Sequence, residues 1–275
     1  MHAFFTILVA SWQAGDKLIS TLQSVTEQSE QDWRLIVKDA GSTDGSLEQA
    51  RKHFSDERIR YVVSEDDGIY DGMNQAIDAA LEEADPALDA QGAGVMMFLN
   101  CGDLLEDRYV LEKVREQIVR AQAENRHGIY YGDFRRGERG PVVKVRPNMD
   151  AFACFRSVFC HQACFYDVSL MRRERFCTKY RVRADYEHLL RCRLQLGVDA
   201  VYLGLVICRY EGGGYSETPE GEKISSAEHR EITGRYFSRG QLFLFRSYLI
   251  LTLQPLRKRL AAGRLTGTLY HRLRG

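Results

Sequence analysis

Acidic and small residues cluster at three places in the first 103 residues, and each cluster directly follows a short apolar run. The clusters are residues 39–45 (DAGSTDG), 64–74 (SEDDGIYDGMN) and 100–103 (NCGD). A carboxylate at a strand end can accept hydrogen bonds from a base or a ribose, and a neighbouring glycine lets the backbone approach a ligand closely. Carboxylates are also the ligands that Mg²⁺ and Mn²⁺ prefer beside phosphate oxygens. The pattern predicts a site for a nucleotide and a hard cation.

Some of these polar residues have structural explanations. We interpret Asp44 as a turn residue, Ser46 as a helix cap and Asp67 as an acid of a first helical turn. Asp39, at the tip of a predicted strand, is better explained by function, because polar groups in loops at strand ends carry binding and catalysis. The acidic and amide candidates are therefore Asp39, Asp66, Asp71, Asn74 and Asp103.

Several other kinds of site lack their signature. The sequence contains neither the GxxxxGK[ST] phosphate loop nor the GxGxxG fingerprint, which removes the main support for a kinase or a dehydrogenase. Cys160, His161 and Cys164 are close enough to suggest zinc, but no second ligand pair follows at the usual spacing. We do not expect a zinc site there.

Short β-rich runs alternate with helical patterns through the first 133 residues, which predicts βαβ units. The predicted strands are residues 4–10, 33–38, 59–63 and 95–99, and the helices between them are residues 17–26, 46–54 and 70–83. Such units form a parallel sheet with right-handed crossovers, and ligands bind beyond the carboxyl ends of its strands. The three polar clusters fall at those ends.

The regular alternation stops after residue 133. The pattern then predicts a hairpin over residues 130–146, a strand over 162–166, a helix over 185–196 and a strand over 200–210. The glycine-rich residues 211–221 follow and suit either a lid over a ligand or a flexible surface loop. We place a domain boundary here, with a catalytic domain over residues 1–221 and an extension over residues 222–275.

The extension is basic. After Glu231 the chain has nine basic residues and no acid, so the preceding part carries 29 minus 38, or −9. With the apolar run 242–256, this favours an interfacial helix on an anionic membrane leaflet over a nucleic-acid partner. A helix packed on the main domain, with its basic face in solvent, is the alternative.

The cysteine pattern and the N-terminus bear on the compartment. Seven cysteines, an odd number with no CxxC pair, indicate reduced thiols, and the start of the chain has no leader pattern. We expect a cytoplasmic protein, peripheral on the inner face of the cell membrane.

Taken together, the strand-end segments resemble the inverting enzymes of glycosyltransferase family 2, of the bacterial polysaccharide-biosynthesis type, which have the GT-A fold. The resemblance covers roughly residues 3–215. The segments that match the family are residues 9–13 (VASWQ), 39–45, 66–74, 100–103, 161–162 (HQ) and 184–187 (ADYE). It implies an α/β fold with a mostly parallel central sheet flanked by helices, followed here by a helical basic tail.

The resemblance also implies roles for individual residues. Asp185 would be the general base that deprotonates an acceptor hydroxyl, and Asp103 would bind Mn²⁺ or Mg²⁺. The residues that would bind the nucleotide sugar are Ser11, Asp39, Asp66, Asp71, Asn74, Cys101, Gly102, His161 and Gln162. For His161 a packed or capping role is an equal alternative, and for Asp185 a helix-start role is compatible with catalysis.

The implied reaction is a hexosyl transfer, with inversion, from a nucleotide-diphosphate sugar to a glycan or lipid-linked acceptor. Two departures from the family pattern matter: the metal motif has the single acid Asp103, and Ala40 fills the second acidic position of the first loop. We keep two alternatives, a nucleotidyltransferase on a similar sheet and a catalytically silent, membrane-recruited binding module.

Overall fold

A computed structural model describes residues 4–82, 94–156 and 159–252. The first half of the described chain is a parallel sheet with strand order β3-β2-β1-β4. Its strands are β1 (Phe5–Ser11), β2 (Trp33–Asp39), β3 (Ile59–Val63) and β4 (Val95–Phe98). Helices α1 (Asp16–Thr26), α2 (Ser46–His53) and α3 (Ile69–Glu82) follow the first three strands. Every one of these elements was predicted to within two residues at each end.

The register of the parallel strands brings the polar clusters to one edge. Ser11 at the end of β1 pairs with Asp39 at the end of β2, and Leu8 pairs with Phe98 at the end of β4. Because parallel strands all point the same way, the segments after Ser11, Asp39 and Phe98 leave the sheet side by side. This arrangement gives the shared strand-end edge that the sequence predicts.

The second half continues the sheet with mixed directions, in the order β4-β8-β6-β9-β5. Its strands are β5 (Leu104–Leu105), β6 (Gly128–Arg136), β7 (Val142–Val143), β8 (Cys164–Asp167) and β9 (Asp199–Tyr210). Strand β8 is antiparallel to both β4 and β6, whereas β6 and β9 are parallel. The predicted hairpin is confirmed, since β7 pairs antiparallel with β6.

Six helices follow in this half of the described chain. They are α4 (Val110–Ala123), α5 (Ala151–Arg156), α6 (Val168–Arg173), α7 (Ala184–Leu190), α8 (Pro219–Tyr236) and α9 (Arg239–Leu251). Helix α7 continues into one π-helical turn, Arg191–Gln195, so the two together fill the predicted helix over 185–196.

Two local details differ from expectation. Helix α4 was not predicted, although Val110, Val114 and Ile118 form the buried stripe of an amphipathic helix. The predicted cap Ser46 is instead the first helical residue of α2. The residue before it, Gly45, is left-handed with φ of 80°, and the carboxylate of Asp44 accepts the Ser46 N–H and hydroxyl.

The core lies against both faces of the parallel strands. Apolar side chains of β1, β2 and β4 are fully buried and pack with α1 and α4 and with the central strands β6 and β8. Burial on both faces explains why β1 and β2 are near-continuous apolar runs. A rigid sheet of this kind fixes the positions of the loops at its carboxyl edge.

The chain divides into two compact units, Met1–Glu228 and His229–Gly275. The boundary at residue 221 stays a prediction, and part of the second unit, including the basic residues after 252, lies outside the described residues. Among the helices that the structure describes, none has both the length and the apolar content needed to cross a membrane.

Candidate active site

Asp39 holds together the loop that follows β2. Its carboxylate accepts hydrogen bonds from Gly41 N at 2.9 Å, Ser42 N at 2.7 Å and Ser42 Oγ at 2.8 Å. Gly41 has φ of 86°, a left-handed conformation that glycine adopts at little cost. The buried carboxylate therefore has three donors from residues only two or three positions away.

The loops after β1 and β2 are tied to each other. Gln13 N donates to Ser42 Oγ at 2.8 Å, and Gly15 N donates to Asp44 Oδ2 at 2.9 Å. This agrees with the interpretation of Asp44 as a turn residue. The two loops form one rigid rim at the strand-end edge.

Helix α1 supports the turn that follows β4. Thr21 Oγ1 donates to Asp103 O at 3.0 Å and accepts from Gly102 N at 2.9 Å. Gly102 has φ of 99°, and a Cβ there would collide with the carboxylate of Glu211. The positive φ at position 102 therefore favours glycine, and any other residue would also displace the Glu211 side chain.

Asp103 is a buried carboxylate with few hydrogen bonds to offset the cost of burying its charge. It is 4% exposed, and its Oδ1 accepts one hydrogen bond, from Glu211 N at 2.8 Å. Burial raises the pKa of Asp103 to about 6, although that hydrogen bond and the charge of Lys17 oppose the change. Lys17 Nζ lies 2.6 Å from Glu211 Oε2. Asp103 thus lies close to Glu211 and Lys17, two charged residues that were not predicted as part of the site.

The Cys101 thiol connects Asp39 and Asp103. Burial raises the pKa of Cys101 to about 12; the neighbouring Ser11 opposes this increase, and the charges of Asp39 and Asp103 each add a smaller increase. Ser11, Asp39 and Asp103 therefore surround the same thiol, as the strand register requires. The structure brings together the predicted residues of β1, β2 and β4.

Asp66 and Asp71 lie in the segment between β3 and α3. Asp66 Oδ2 forms an ion pair with the buried amine of Lys38, and its Oδ1 accepts from Gly68 N at 3.1 Å. Asp71 Oδ2 accepts from Asp67 N at 3.1 Å and Gln75 Nε2 at 2.9 Å. Both acids fix the conformation of this segment, and their contact with a nucleotide stays a prediction.

The Asn74 amide joins α3 to the segment before α7. Its Nδ2 donates to Phe176 O at 2.9 Å and its Oδ1 accepts from Phe176 N at 3.1 Å. The structure thus gives Asn74 a positioning role, and its predicted contact with the donor stays a prediction.

His161 is packed on the end of β4. Its ring stacks on Phe98 with centroids 4.9 Å apart, and its Nδ1 lies 3.2 Å from Tyr166 OH. Burial lowers the pKa of His161 to about 4, so the ring is neutral at physiological pH. Gln162 follows and accepts from Cys160 Sγ at 3.1 Å.

Three buried polar atoms at this edge have no hydrogen-bond partner among the described residues: Ser11 Oγ, Asn100 Oδ1 and His161 Nε2. Buried polar atoms are nearly always paired, with the protein, with water or with a ligand. All three come from residues at or next to the ends of β1 and β4. Three such atoms at one edge are suited to bind a polar ligand.

Asp185 lies at the start of α7 and reaches the same edge through Tyr70. Asp185 Oδ1 accepts from Tyr186 N at 2.8 Å and from Tyr70 OH at 3.0 Å. Its Oδ2 accepts no hydrogen bond from the part of the chain that the structure describes. Burial raises the pKa of Asp185, and the hydrogen bonds from Tyr186 and Tyr70 oppose the increase.

The structure adds four residues that sequence reasoning missed: Lys17, Lys38, Tyr70 and Glu211. Lys38 had a signal, because a charged residue within a buried strand must find a partner. The other three had none, since each acts on a residue far away in the sequence.

A divalent cation fits this site only if phosphate oxygens of a substrate complete its coordination beside Asp103. Among the described residues no group of three His, Cys, Asp or Glu side chains is placed to hold a metal. Asp103 offers Oδ2, because its Oδ1 is bonded to Glu211 N. Mg²⁺ is commonly bound through one or two carboxylates together with substrate phosphates and water, so one carboxylate is a sufficient protein ligand.

A family model and a curated relative both match this sequence. The family model described as glycosyl transferase family 2 matches residues 6–180. A PGL/p-HBAD biosynthesis glycosyltransferase of Mycobacterium tuberculosis is 28% identical over 230 residues, which cover 78% of this chain and 79% of the relative.

Solved structures share the fold at low sequence identity. Staphylococcus aureus TarS in complex with UDP-GlcNAc is similar with a TM-score of 0.62 and 13% identity, covering 96% of this chain and 74% of that one. The mannosyltransferase PcManGT from Pyrobaculum calidifontis, in complex with GDP-Man and Mn²⁺, has a TM-score of 0.57 and 14% identity, covering 98% and 84%. These likenesses confirm the predicted GT-A fold.

The family model covers well over half of the chain, and the strand-end carboxylates that it spans meet at one edge of the sheet. The protein therefore belongs to glycosyl transferase family 2.

Proposed function

We propose that this glycosyltransferase moves a sugar from a nucleotide diphosphate to an acceptor hydroxyl with inversion at the anomeric carbon, and that Asp185 is the general base. The observation that carries the proposal is the state of the Asp185 carboxylate. One oxygen is held by Tyr70 OH and Tyr186 N, and the other is unpartnered among the described residues. A base needs both features, a fixed orientation and a free lone pair.

The raised pKa of Asp185 suits this role. Burial makes the carboxylate a stronger base than a solvated aspartate, while its two hydrogen bonds keep the ionised form accessible. In the proposed step Asp185 Oδ2 takes the acceptor proton as the acceptor oxygen forms its bond to the anomeric carbon. The bond from that carbon to the diphosphate oxygen breaks at the same time, and the diphosphate leaves with its electron pair. A single displacement of this kind inverts the anomeric configuration.

The donor is proposed to lie along the loops after β1, β2 and β4. The unpaired Ser11 Oγ, Asn100 Oδ1 and His161 Nε2 offer hydrogen bonds to its hydroxyl or phosphate groups. Structural neighbours of this chain hold UDP-GlcNAc and GDP-Man, which supports a nucleotide sugar as the donor class. Mn²⁺ or Mg²⁺ on Asp103 would neutralise charge on the leaving diphosphate.

The acceptor is proposed to be a polysaccharide or a lipid-linked oligosaccharide at the inner leaflet, in a cytoplasmic protein that is peripheral on the membrane. Helix α9 supports this view, since it exposes a row of large apolar side chains beside Arg239 and Arg246. Phe243 is 71% exposed and Leu251 is 81% exposed. An apolar face flanked by arginine suits the boundary between headgroups and acyl chains.

The test of the reaction is a calorimetric screen of nucleotide sugars with and without Mn²⁺, followed by product analysis with the best donor. We expect binding of one donor class and a product of inverted anomeric configuration. Asp185→Asn should bind that donor within about twofold of wild type but lose at least 100-fold in turnover. Glu116→Gln, at an exposed position of α4, is the matched control.

Three outcomes contradict the proposal. Near-normal turnover of Asp185→Asn on the acceptor excludes this residue as the base. Release of pyrophosphate from a nucleoside triphosphate indicates a nucleotidyltransferase. No binding of any nucleotide sugar in either condition supports the silent binding module.

The membrane claim is tested separately by flotation with vesicles that contain phosphatidylglycerol. The double variant Phe243→Glu and Leu251→Glu should float several-fold less than wild type, because it places charge on the apolar row. Equal flotation of the variant and wild type removes the membrane claim and leaves the sugar transfer untouched.

A further inference from the structure

We propose that Glu228 of α8 is a positioning residue that fixes the loop carrying the general base. The loop is residues 181–185, here called the base loop. This inference rests on the proposed role of Asp185 and adds a residue that the sequence analysis assigned to the C-terminal extension.

One carboxylate binds three consecutive backbone N–H groups. Glu228 Oε1 accepts from Arg181 N at 2.7 Å, and its Oε2 accepts from Val182 N at 3.1 Å and Arg183 N at 2.9 Å. Hydrogen bonds from backbone N–H to an ionised carboxylate are roughly twice as strong as neutral ones. The three donors are consecutive in sequence, so their bonds fix the backbone direction immediately before α7.

Helix α7 has no cap of its own that could do this. Its N-cap residue is Arg183, whose side chain makes no capping hydrogen bond. A Ser, Thr, Asp or Asn at this place would organise the helix start locally. In its absence, the carboxylate from α8 restrains the chain as it enters α7, two residues before Asp185.

The Arg183 side chain is held by the same helix. Its Nε donates to Ser225 O at 2.9 Å and to Ser225 Oγ at 2.8 Å. The positive charge of Arg183 lowers the pKa of Asp185, in opposition to the larger effect of burial. One turn of α8 thus orients both the backbone before the base and a cation near it.

The opposite side of the base loop is held by α3. Tyr70 OH lies 2.9 Å from Val182 O and 3.0 Å from Asp185 Oδ1. Val182 is therefore restrained through its N–H by Glu228 and through its carbonyl by Tyr70. With Glu228 removed, the loop keeps its attachment to Tyr70 and the hydrogen bonds of the Arg183 side chain to Ser225, so we expect it to move rather than to unfold.

The test compares Glu228→Ala and Glu228→Gln with Glu222→Gln, an exposed acid of the same helix. Amide hydrogen exchange over residues 181–185 should speed up at least tenfold in Glu228→Ala, because three donors lose their acceptor. Glu228→Gln keeps one acceptor oxygen and should fall between Glu228→Ala and wild type. Glu222→Gln should match wild type.

Turnover is the second readout. We expect kcat of Glu228→Ala to fall about tenfold, with the dissociation constant of the donor unchanged, because a displaced base affects the chemical step alone. If amide hydrogen exchange of the base loop is unchanged in Glu228→Ala, Glu228 does not restrain this loop. Faster exchange with unchanged kcat overturns the positioning role.

Asp185→Asn, measured beside these variants, keeps the two proposals distinguishable. If it is inactive while Glu228→Ala is fully active, Asp185 stands as the base and the Glu228 inference fails. If Asp185→Asn is fully active, the assignment of the base fails, whatever the exchange of the base loop shows.

Discussion

Asp39, in the loop after β2, and Asp185, in the base loop, are both held by hydrogen bonds. The donors of these bonds lie at very different distances along the chain. Asp39 is satisfied by Gly41 and Ser42, at most three residues away. Asp185 depends on Tyr70, 115 residues away, and its loop depends on Glu228, 45 to 47 residues away. The loop after β2 is therefore organised by residues close in sequence, whereas the base loop is organised by tertiary contacts.

Two buried carboxylates at strand ends also differ in how far hydrogen bonds offset the free-energy cost of burying their charge. Asp39 and Asp103 are both buried carboxylates at strand ends, yet Asp39 accepts three hydrogen bonds and Asp103 accepts one. A buried charge with few donors keeps most of its desolvation penalty. Removing these two charges should change stability in opposite directions.

The largest effect is expected for Asp39→Ala. It leaves the donors of Gly41 and Ser42 without their acceptor, so the free energy of unfolding should fall by about 3 kcal/mol. Urea unfolding measures this. Asp39→Asn keeps one acceptor oxygen and should lose about half as much. A loss below about 0.5 kcal/mol in Asp39→Ala, similar to that of the exposed control Glu48→Gln, would show that the loop is not organised by this carboxylate.

Asp103→Asn should instead stabilise the metal-free protein. The pKa of Asp103 is raised from 3.8 to about 6, so above pH 6 the folded state bears a penalty that a neutral side chain avoids. One pKa unit corresponds to about 1.4 kcal/mol, so we expect a gain of about 3 kcal/mol at pH 7.5.

The pH dependence gives this prediction its sign. Below about pH 6 folded wild type binds a proton at Asp103 before the unfolded chain does, so its penalty shrinks and nearly vanishes near pH 4. The gain of Asp103→Asn should shrink over the same range. Thermal unfolding with a chelator between pH 4 and 8 tests it, and a gain that is constant with pH contradicts the explanation.

A smaller effect is expected for Tyr70→Phe. The lost hydrogen bond to Asp185 should lower kcat about tenfold at pH 7, equivalent to about 1.4 kcal/mol. Because the Tyr70 hydroxyl lowers the pKa of Asp185, its removal raises that pKa. A base must be ionised, so the acidic limb of the kcat profile should move to higher pH. Tyr109→Phe, at an exposed tyrosine, is the control, and an unmoved limb would separate Tyr70 from the base.

The same contrast explains what the sequence could predict. The parallel half of the sheet was predicted because each strand and helix is encoded by its own apolar periodicity, and the register then brings Ser11 and Asp39 side by side. The strand-end loops were found for the same reason, since their acids and glycines are contiguous.

Helix α4 was missed although its apolar stripe is a local pattern, but most other features that were not predicted depend on contacts that no local pattern encodes. The pairing of β8 between β4 and β6 joins segments far apart in sequence. The roles of Glu211 at Asp103 and of Glu228 at the base loop are of this kind. A glutamate near the middle of α8 cannot be told from a solvated helical acid by sequence alone, because only the fold places it against Arg181, Val182 and Arg183.

The burial of the cysteines has a practical consequence for chemical labelling. All seven thiols are free, and burial is a main cause of the raised thiol pKa values at Cys101, Cys154, Cys164, Cys192 and Cys208. Only the thiolate reacts with alkylating reagents, and a thiol with a pKa of about 12 is ionised in roughly one molecule in ten thousand at pH 8. A cysteine introduced on an exposed surface should therefore take up a fluorophore well before these five residues do. Once the partly exposed Cys160 and Cys177 are replaced, a spectroscopic probe could be attached at a chosen surface position without removing the other five cysteines.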